Sequence, residues 1–202
     1  MEETPARMIL NLPNSLTISR ILVIPIFVAA FFVEGAPARW VALAIFVAAA
    51  ATDFFDGYFA RRNRQATDFG RFLDPIADKL LVATALLMLA GFGRITGYAL
   101  IAATIILLRE IVVSGLREYL GGFKIEVPVS PLAKAKTAVQ MVAIGFLIVG
   151  DVGPEELPTV RIGEILLWLA ALLSVITAYG YLRAGLPHII KDDEPGKTSP
   201  AE

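Results

Sequence analysis

Six runs without a formal charge dominate this chain: Ile21–Val33, Trp40–Thr52, Leu80–Gly93, Ile95–Leu108, Thr137–Gly150 and Ile165–Leu182. A bilayer-crossing helix needs about 20 apolar residues, with roughly 18 as the usual lower limit. Only the last run reaches 18 residues. The other five become long enough only if their helices continue through charged residues at one end. Ionisable groups inside a span are costly and normally face protein or a watery cavity. The pattern therefore predicts an all-α, polytopic membrane protein whose spans carry polar chemistry at one end.

Composition agrees with this reading. Of 202 residues 56% are hydrophobic, and the mean hydropathy is +0.69, which argues against an ordinary water-soluble globule. The absence of Cys and the single His, His188, exclude disulfides, thiolate metal sites and multi-histidine sites, and disfavour a di-iron bundle built on Glu-x-x-His pairs. The net charge of −1 is uninformative, and no nucleic-acid partner is expected.

Gly- and Pro-containing connections at Glu34–Arg39 and Gly91–Gly97, with a longer one at Asp151–Arg161, divide the runs into six spans. These are expected near 15–34, 37–62, 72–93, 96–119, 132–150 and 161–184. An interfacial segment (1–14) and a polar tail (186–202) flank the six-helix domain (15–185). An even number of spans puts both termini on one side. Fifteen of the 18 Lys and Arg residues fall there, and only Arg39, Arg94 and Arg161 fall on the other. The positive-inside rule then places the termini in the cytoplasm. Ala36-Pro37-Ala38 has the small residues of a signal-peptide cleavage site, but its central Pro and five further apolar segments favour an uncleaved first span.

The chemistry concentrates at the second and third spans. Asp53, Asp56, Gly57, Ala60 and Arg61 fall at helical spacing on one stripe, and Gly70, Asp74 and Asp78 on another. A turn near Asn63–Thr67 would bring the two stripes face to face. Asp53 lies 14 residues beyond Arg39, roughly 21 Å along a helix. In a hydrocarbon core about 30 Å thick, that leaves it about 9 Å from the cytoplasmic boundary. Four carboxylates at that depth need cations. All-oxygen ligation favours a hard divalent ion, Mg²⁺ or Mn²⁺, and two such ions would suit a diphosphate. Salt bridges to Arg61 and Arg71 are the structural alternative for the acidic residues, and close helix packing is the alternative for the Gly and Ala positions.

The pattern Asp53-x2-Asp56-Gly57-x2-Ala60-Arg61-x8-Gly70-x3-Asp74-x3-Asp78 matches all eight fixed positions, over 26 residues, of the CDP-alcohol phosphotransferase signature. The chain resembles that family of six-helix membrane enzymes, usually homodimers, which transfer a substituted phosphoryl group from a CDP-linked donor to an alcohol and release CMP. The resemblance implies that Asp53, Asp56, Asp74 and Asp78 ligate metal and that Asp78 is the general base. It also implies that Gly57, Ala60, Arg61 and Gly70 contact the CDP moiety.

The signature does not name the acceptor. Arg109 and Arg117 end the fourth span and Lys134 and Lys136 open the fifth, so basic groups converge from two helices as a site for an anionic acceptor such as a phosphate ester. The competing roles are lipid-headgroup contacts for the two lysines, and neutralisation of the arginines by Glu110 and Glu118. These segments and Asn11–Arg20 resemble the bacterial branch of the family, whose donor is CDP-diacylglycerol and whose acceptor is sn-glycerol 3-phosphate. That resemblance covers about residues 10–185. It adds Asn14 and Thr17 as candidate donor-binding residues, with helix capping as their alternative. It also implies a place in the bacterial inner membrane, with the active site facing the cytoplasm. An inositol phosphate is the rival acceptor, and an Asp-lined cation transporter is the rival class.

Overall fold

The computed structural model describes the backbone over 12–63, 68–122 and 130–192, and side chains over 17–52, 73, 76, 77, 79–122 and 130–185. Among these residues there are six α-helices and no strand: α1 (Leu12–Phe31), α2 (Ala36–Asn63), α3 (Asp68–Gly91), α4 (Ala99–Gly122), α5 (Pro131–Val149) and α6 (Thr159–Asp192). A single 3-10 turn, Gly150–Val152, follows α5.

Each expected span corresponds to one helix, and the chain breaks where its residues force it to. Gly35, Gly93, Gly97 and Gly150 all adopt positive φ, between 54° and 101°, a region that costs a side-chain-bearing residue energy. Ser130 caps α5 by accepting a hydrogen bond from the Ala133 N–H at 3.2 Å, and Pro131 opens that helix where its missing N–H costs nothing. Two boundaries differ from expectation. Helix α1 starts at Leu12, inside the segment assigned to the interface, and α6 runs to Asp192, through the first residues of the expected polar tail. The apolar residues Leu186, Ile189 and Ile190 prolong the helical pattern there, and Pro195 lies beyond its end.

Three segments, Ala99–Gly122, Pro131–Val152 and Thr159–Gly185, are long and apolar enough to cross a membrane, while Thr17–Phe31, Ala36–Thr52 and Lys79–Gly91 are shorter apolar stretches. In the three long segments only 28%, 44% and 33% of the apolar window is buried within the chain. Leu22, Phe32, Leu87 and Ile165 instead point outward, far more apolar surface than a soluble monomer shows. The buried set includes Arg20, Lys136 and Gln140. Apolar outside and partly polar inside is the arrangement a lipid solvent selects.

The helices pack most extensively as α5 on α6, α1 on α2, and α4 on α6. Small residues allow the close approaches. A Cβ on Gly163 would lie 2.8 Å from Leu147 Cγ, and one on Gly145 would lie 3.3 Å from Leu43 Cδ1. At one end of the bundle Phe27, Phe31, Phe32 and Phe92 form an edge-to-face cluster, with ring centroids 5.2–5.6 Å apart. The Arg94 guanidinium lies 4.7 Å from the Phe31 ring centre and donates to the Ile148 carbonyl at 2.7 Å. Arg39 donates to the Val149 carbonyl at 3.3 Å and pairs with Asp151. Two of the three basic residues expected on this side thus cap the C-terminal carbonyls of α5, where the helix dipole favours positive charge. Burial and then the Arg39 charge lower the Arg94 pKa, while the Asp151 carboxylate opposes them by offsetting the two neighbouring arginines.

Candidate active site

At the opposite end all six helices contribute to a cavity of about 790 Å³. Arg20 of α1, Lys79 of α3, Arg109 and Arg117 of α4 and Lys134 of α5 line it, with Glu110 as the one carboxylate among the described lining residues. An excess of cations around a partly open cavity favours an anionic occupant. Arg117 and Lys134 are exposed at its rim, Arg109 is half-buried, and Gln140 on α5 is buried.

The four basic residues expected to converge do not play equal parts. Arg109, Arg117 and Lys134 line the cavity. Lys136 is not among the lining residues. Its side chain is 1% exposed and forms an ion pair and hydrogen bond with Glu110. Glu110 also approaches Arg109 at 3.5 Å, so one carboxylate serves two cations and the group keeps a net positive charge. Neutralisation of Arg109 by Glu110 is therefore incomplete, and among the described residues Arg117 has no ion pair with Glu118. The Arg109 guanidinium also lies 5.8 Å from the ring centre of Tyr181 on α6, within cation–π range. Among the described residues its buried Nε has no hydrogen-bond partner.

Two signature positions adjoin lining residues along the chain. Ala50, a lining residue of α2, precedes Asp53 by about one turn, and Lys79, Leu81 and Val82 of α3 follow Asp78 directly and by one turn. Asp53, Asp56, Gly57, Ala60 and Arg61 fall on α2, and Gly70, Asp74 and Asp78 on α3, two helices in contact with each other. Their side chains, and that of Asn14 on α1, lie outside the described residues. Among the described residues no cluster of His, Cys, Asp or Glu could hold a metal ion. Thr17 is fully buried, one turn before Arg20.

The cavity lining also includes polar residues that the sequence does not single out as site residues, among them Arg20, Lys79 and Gln140. Arg20 closes the Asn11–Arg20 segment, one turn after Thr17, and Lys79 is adjacent to Asp78, yet in the sequence both read as basic residues on the cytoplasmic side. A second, apolar groove of about 610 Å³ runs between α2 and α5, lined by Trp40, Leu43, Val47 and Phe146. It shares Ala50 and Met141 with the polar cavity.

Residues 10–176 match the CDP-alcohol phosphatidyltransferase family. The chain belongs to that family. Among curated relatives it is 48% identical over 174 residues to a protein of Rickettsia felis, covering 86% of this chain and 94% of the relative. It is 41% identical over 184 residues to one of Yersinia enterocolitica, covering 90% and 98%. A relative from Cereibacter sphaeroides is 37% identical over 219 residues, covering 91% and 99%. All three relatives carry the name CDP-diacylglycerol–glycerol-3-phosphate 3-phosphatidyltransferase.

Proposed function

We propose that this protein transfers the phosphatidyl group from CDP-diacylglycerol to sn-glycerol 3-phosphate, giving phosphatidylglycerophosphate and CMP. The observation that carries the reading is one cavity in which Arg109, Arg117 and Lys134 border the helices that bear the family signature. A soluble, doubly charged phosphate ester suits exposed cations at a cavity rim. A lipid donor suits the neighbouring apolar groove, whose walls would accept its tails while the diphosphate lies toward the acidic residues. The names of the relatives agree with both substrates.

In the reaction the primary hydroxyl of glycerol 3-phosphate attacks the diacylglycerol-side phosphorus of the donor. A new P–O bond forms, the bond to the CMP phosphate breaks, and Asp78 takes the hydroxyl proton as general base. Arg109, Arg117 and Lys134 hold the acceptor phosphate, while Gly57, Ala60, Arg61 and Gly70, with Asn14 and Thr17, hold the donor. Asp53, Asp56, Asp74 and Asp78 form an all-oxygen donor set that fits Mg²⁺ or Mn²⁺, in two ions. Such ions, when bound, neutralise diphosphate charge and stabilise the leaving group. The chain is read as a six-span homodimer of the bacterial inner membrane, with both termini and the active site on the cytoplasmic side, a topology supported by the distribution of its Lys and Arg residues.

The test is CMP release by the purified protein in detergent, given CDP-diacylglycerol with glycerol 3-phosphate or with inositol phosphate. Turnover should require donor, glycerol 3-phosphate and divalent ion together, stop with a chelator, and fall at least a hundredfold in Asp78→Asn, in line with the loss of a general base. Preference for inositol phosphate, or undiminished turnover in Asp78→Asn, overturns the assignment.

A further inference from the structure

Gln140 carries an amide oxygen, an acceptor that phosphate binding does not use. Gln140 is 1% exposed, it lines the polar cavity, and among the described residues its buried Oε1 has no hydrogen-bond partner. Buried amide oxygens are nearly always paired, because an unmet one forfeits its hydration without return. Lys136, one turn earlier, is held by Glu110, and Lys134 sits at the rim.

A carbonyl oxygen only accepts hydrogen bonds. It repels the oxygens of a phosphate, which are acceptors too, and it attracts an O–H. Resting on the reaction proposed above, the acceptor brings two hydroxyl groups. The primary one attacks and surrenders its proton to the base. The middle one keeps its proton and needs an acceptor.

We propose that Gln140 Oε1 accepts the hydrogen bond of the acceptor's middle, non-reacting hydroxyl and thereby selects a polyol phosphate over simpler alcohol phosphates. Gln140 lies six residues beyond Lys134 on α5, about 9 Å of axial rise. That is within the combined reach of a lysine side chain, a three-carbon phosphate ester and an amide. The rim cations fix the phosphate end and Gln140 reads the carbon chain further in. A site built to bind a hydroxyl discriminates strongly against the analogue that lacks it, because the buried partner is then left unmet.

The experiment compares glycerol 3-phosphate with propane-1,3-diol monophosphate, which keeps the phosphate and the attacking primary hydroxyl but lacks the middle one. CMP release is measured at saturating CDP-diacylglycerol. The unsubstituted protein should favour glycerol 3-phosphate by about tenfold in kcat/KM, the discrimination expected of one unmet buried hydrogen bond. Gln140→Met, of similar length and without a strong acceptor, should reduce that preference to within about twofold, mainly by losing activity on glycerol 3-phosphate. Equal use of both acceptors by the unsubstituted protein overturns the proposal, whether or not the variant folds. So does a variant that slows both acceptors equally and keeps the preference. If the unsubstituted protein releases CMP with neither acceptor, the proposed reaction fails instead, and the two failures are distinguishable.

Discussion

Glu110 joins two cations, and that makes it the residue whose loss should be felt most sharply. The Lys136 side chain is 1% exposed and that of Glu110 16%, so the ammonium depends on this carboxylate for its stabilisation. Breaking a buried pair from one side costs about 3–5 kcal/mol, because the remaining charge stays desolvated. Glu110→Gln keeps the shape and one acceptor oxygen, which places it near about 3 kcal/mol, the lower end of that range. At roughly 2–4 °C per kcal/mol for a chain of this size, the melting temperature in detergent should fall by about 6–12 °C. Lys136→Met removes the buried charge and leaves Glu110 with Arg109, at a smaller cost of about 1–2 kcal/mol. The double variant, Glu110→Gln with Lys136→Met, should regain most of the stability lost by Glu110→Gln alone, since a buried pair and an apolar replacement are often near equal. Additivity of the two changes within about 0.5 kcal/mol would refute the coupling. Kinetics separates the lysines. Lys134→Met should raise the KM for glycerol 3-phosphate, whereas Lys136→Met should act chiefly on the melting temperature.

Two further perturbations test the packing that supports the site. Gly163→Val should destabilise α5 against α6 by about 1–3 kcal/mol, an overpacking cost, because even a Cβ would lie 2.8 Å from Leu147 Cγ; an unchanged melting temperature would show that Leu147 moves aside freely. Arg94→Met should cost about 2 kcal/mol by removing a charged donor from the Ile148 carbonyl, with little effect on CMP release, because its contacts are at the end of the bundle remote from the cavity.

Much of this architecture was legible in the chain. Each charge-free run became one helix, and the Gly and Pro residues between runs ended the helices where backbone geometry required. The sharing of work among the basic residues was harder to read. Lys134 and Lys136 are adjacent in the sequence pattern, yet two residues on a helix turn the side chain by about 200°, so one is exposed at the cavity rim while the other is buried against Glu110. That spacing could have separated them. Gln140 had a quieter signal, as the only amide in the run Thr137–Gly150. A polar side chain in a span needs a partner, but which partner depends on how α5 is rotated in the bundle, and that is set by tertiary packing. Arg20 and Lys79 were counted for topology because charge near a span end fits both roles, and only the convergence of six helices distinguishes them.

Arg39 and Arg94 fasten the last carbonyls of α5 beside the phenylalanine cluster, at the end of the molecule away from the polar cavity. Rigidity and reactivity are thereby housed in separate halves of one bundle. Sequence change aimed at hardening the chain against heat or detergent has a natural address in the aromatic half, where it need not trade against turnover as stabilisation near a working site often does. The hollow half keeps the latitude to admit and release its substrates because its counterpart does the anchoring.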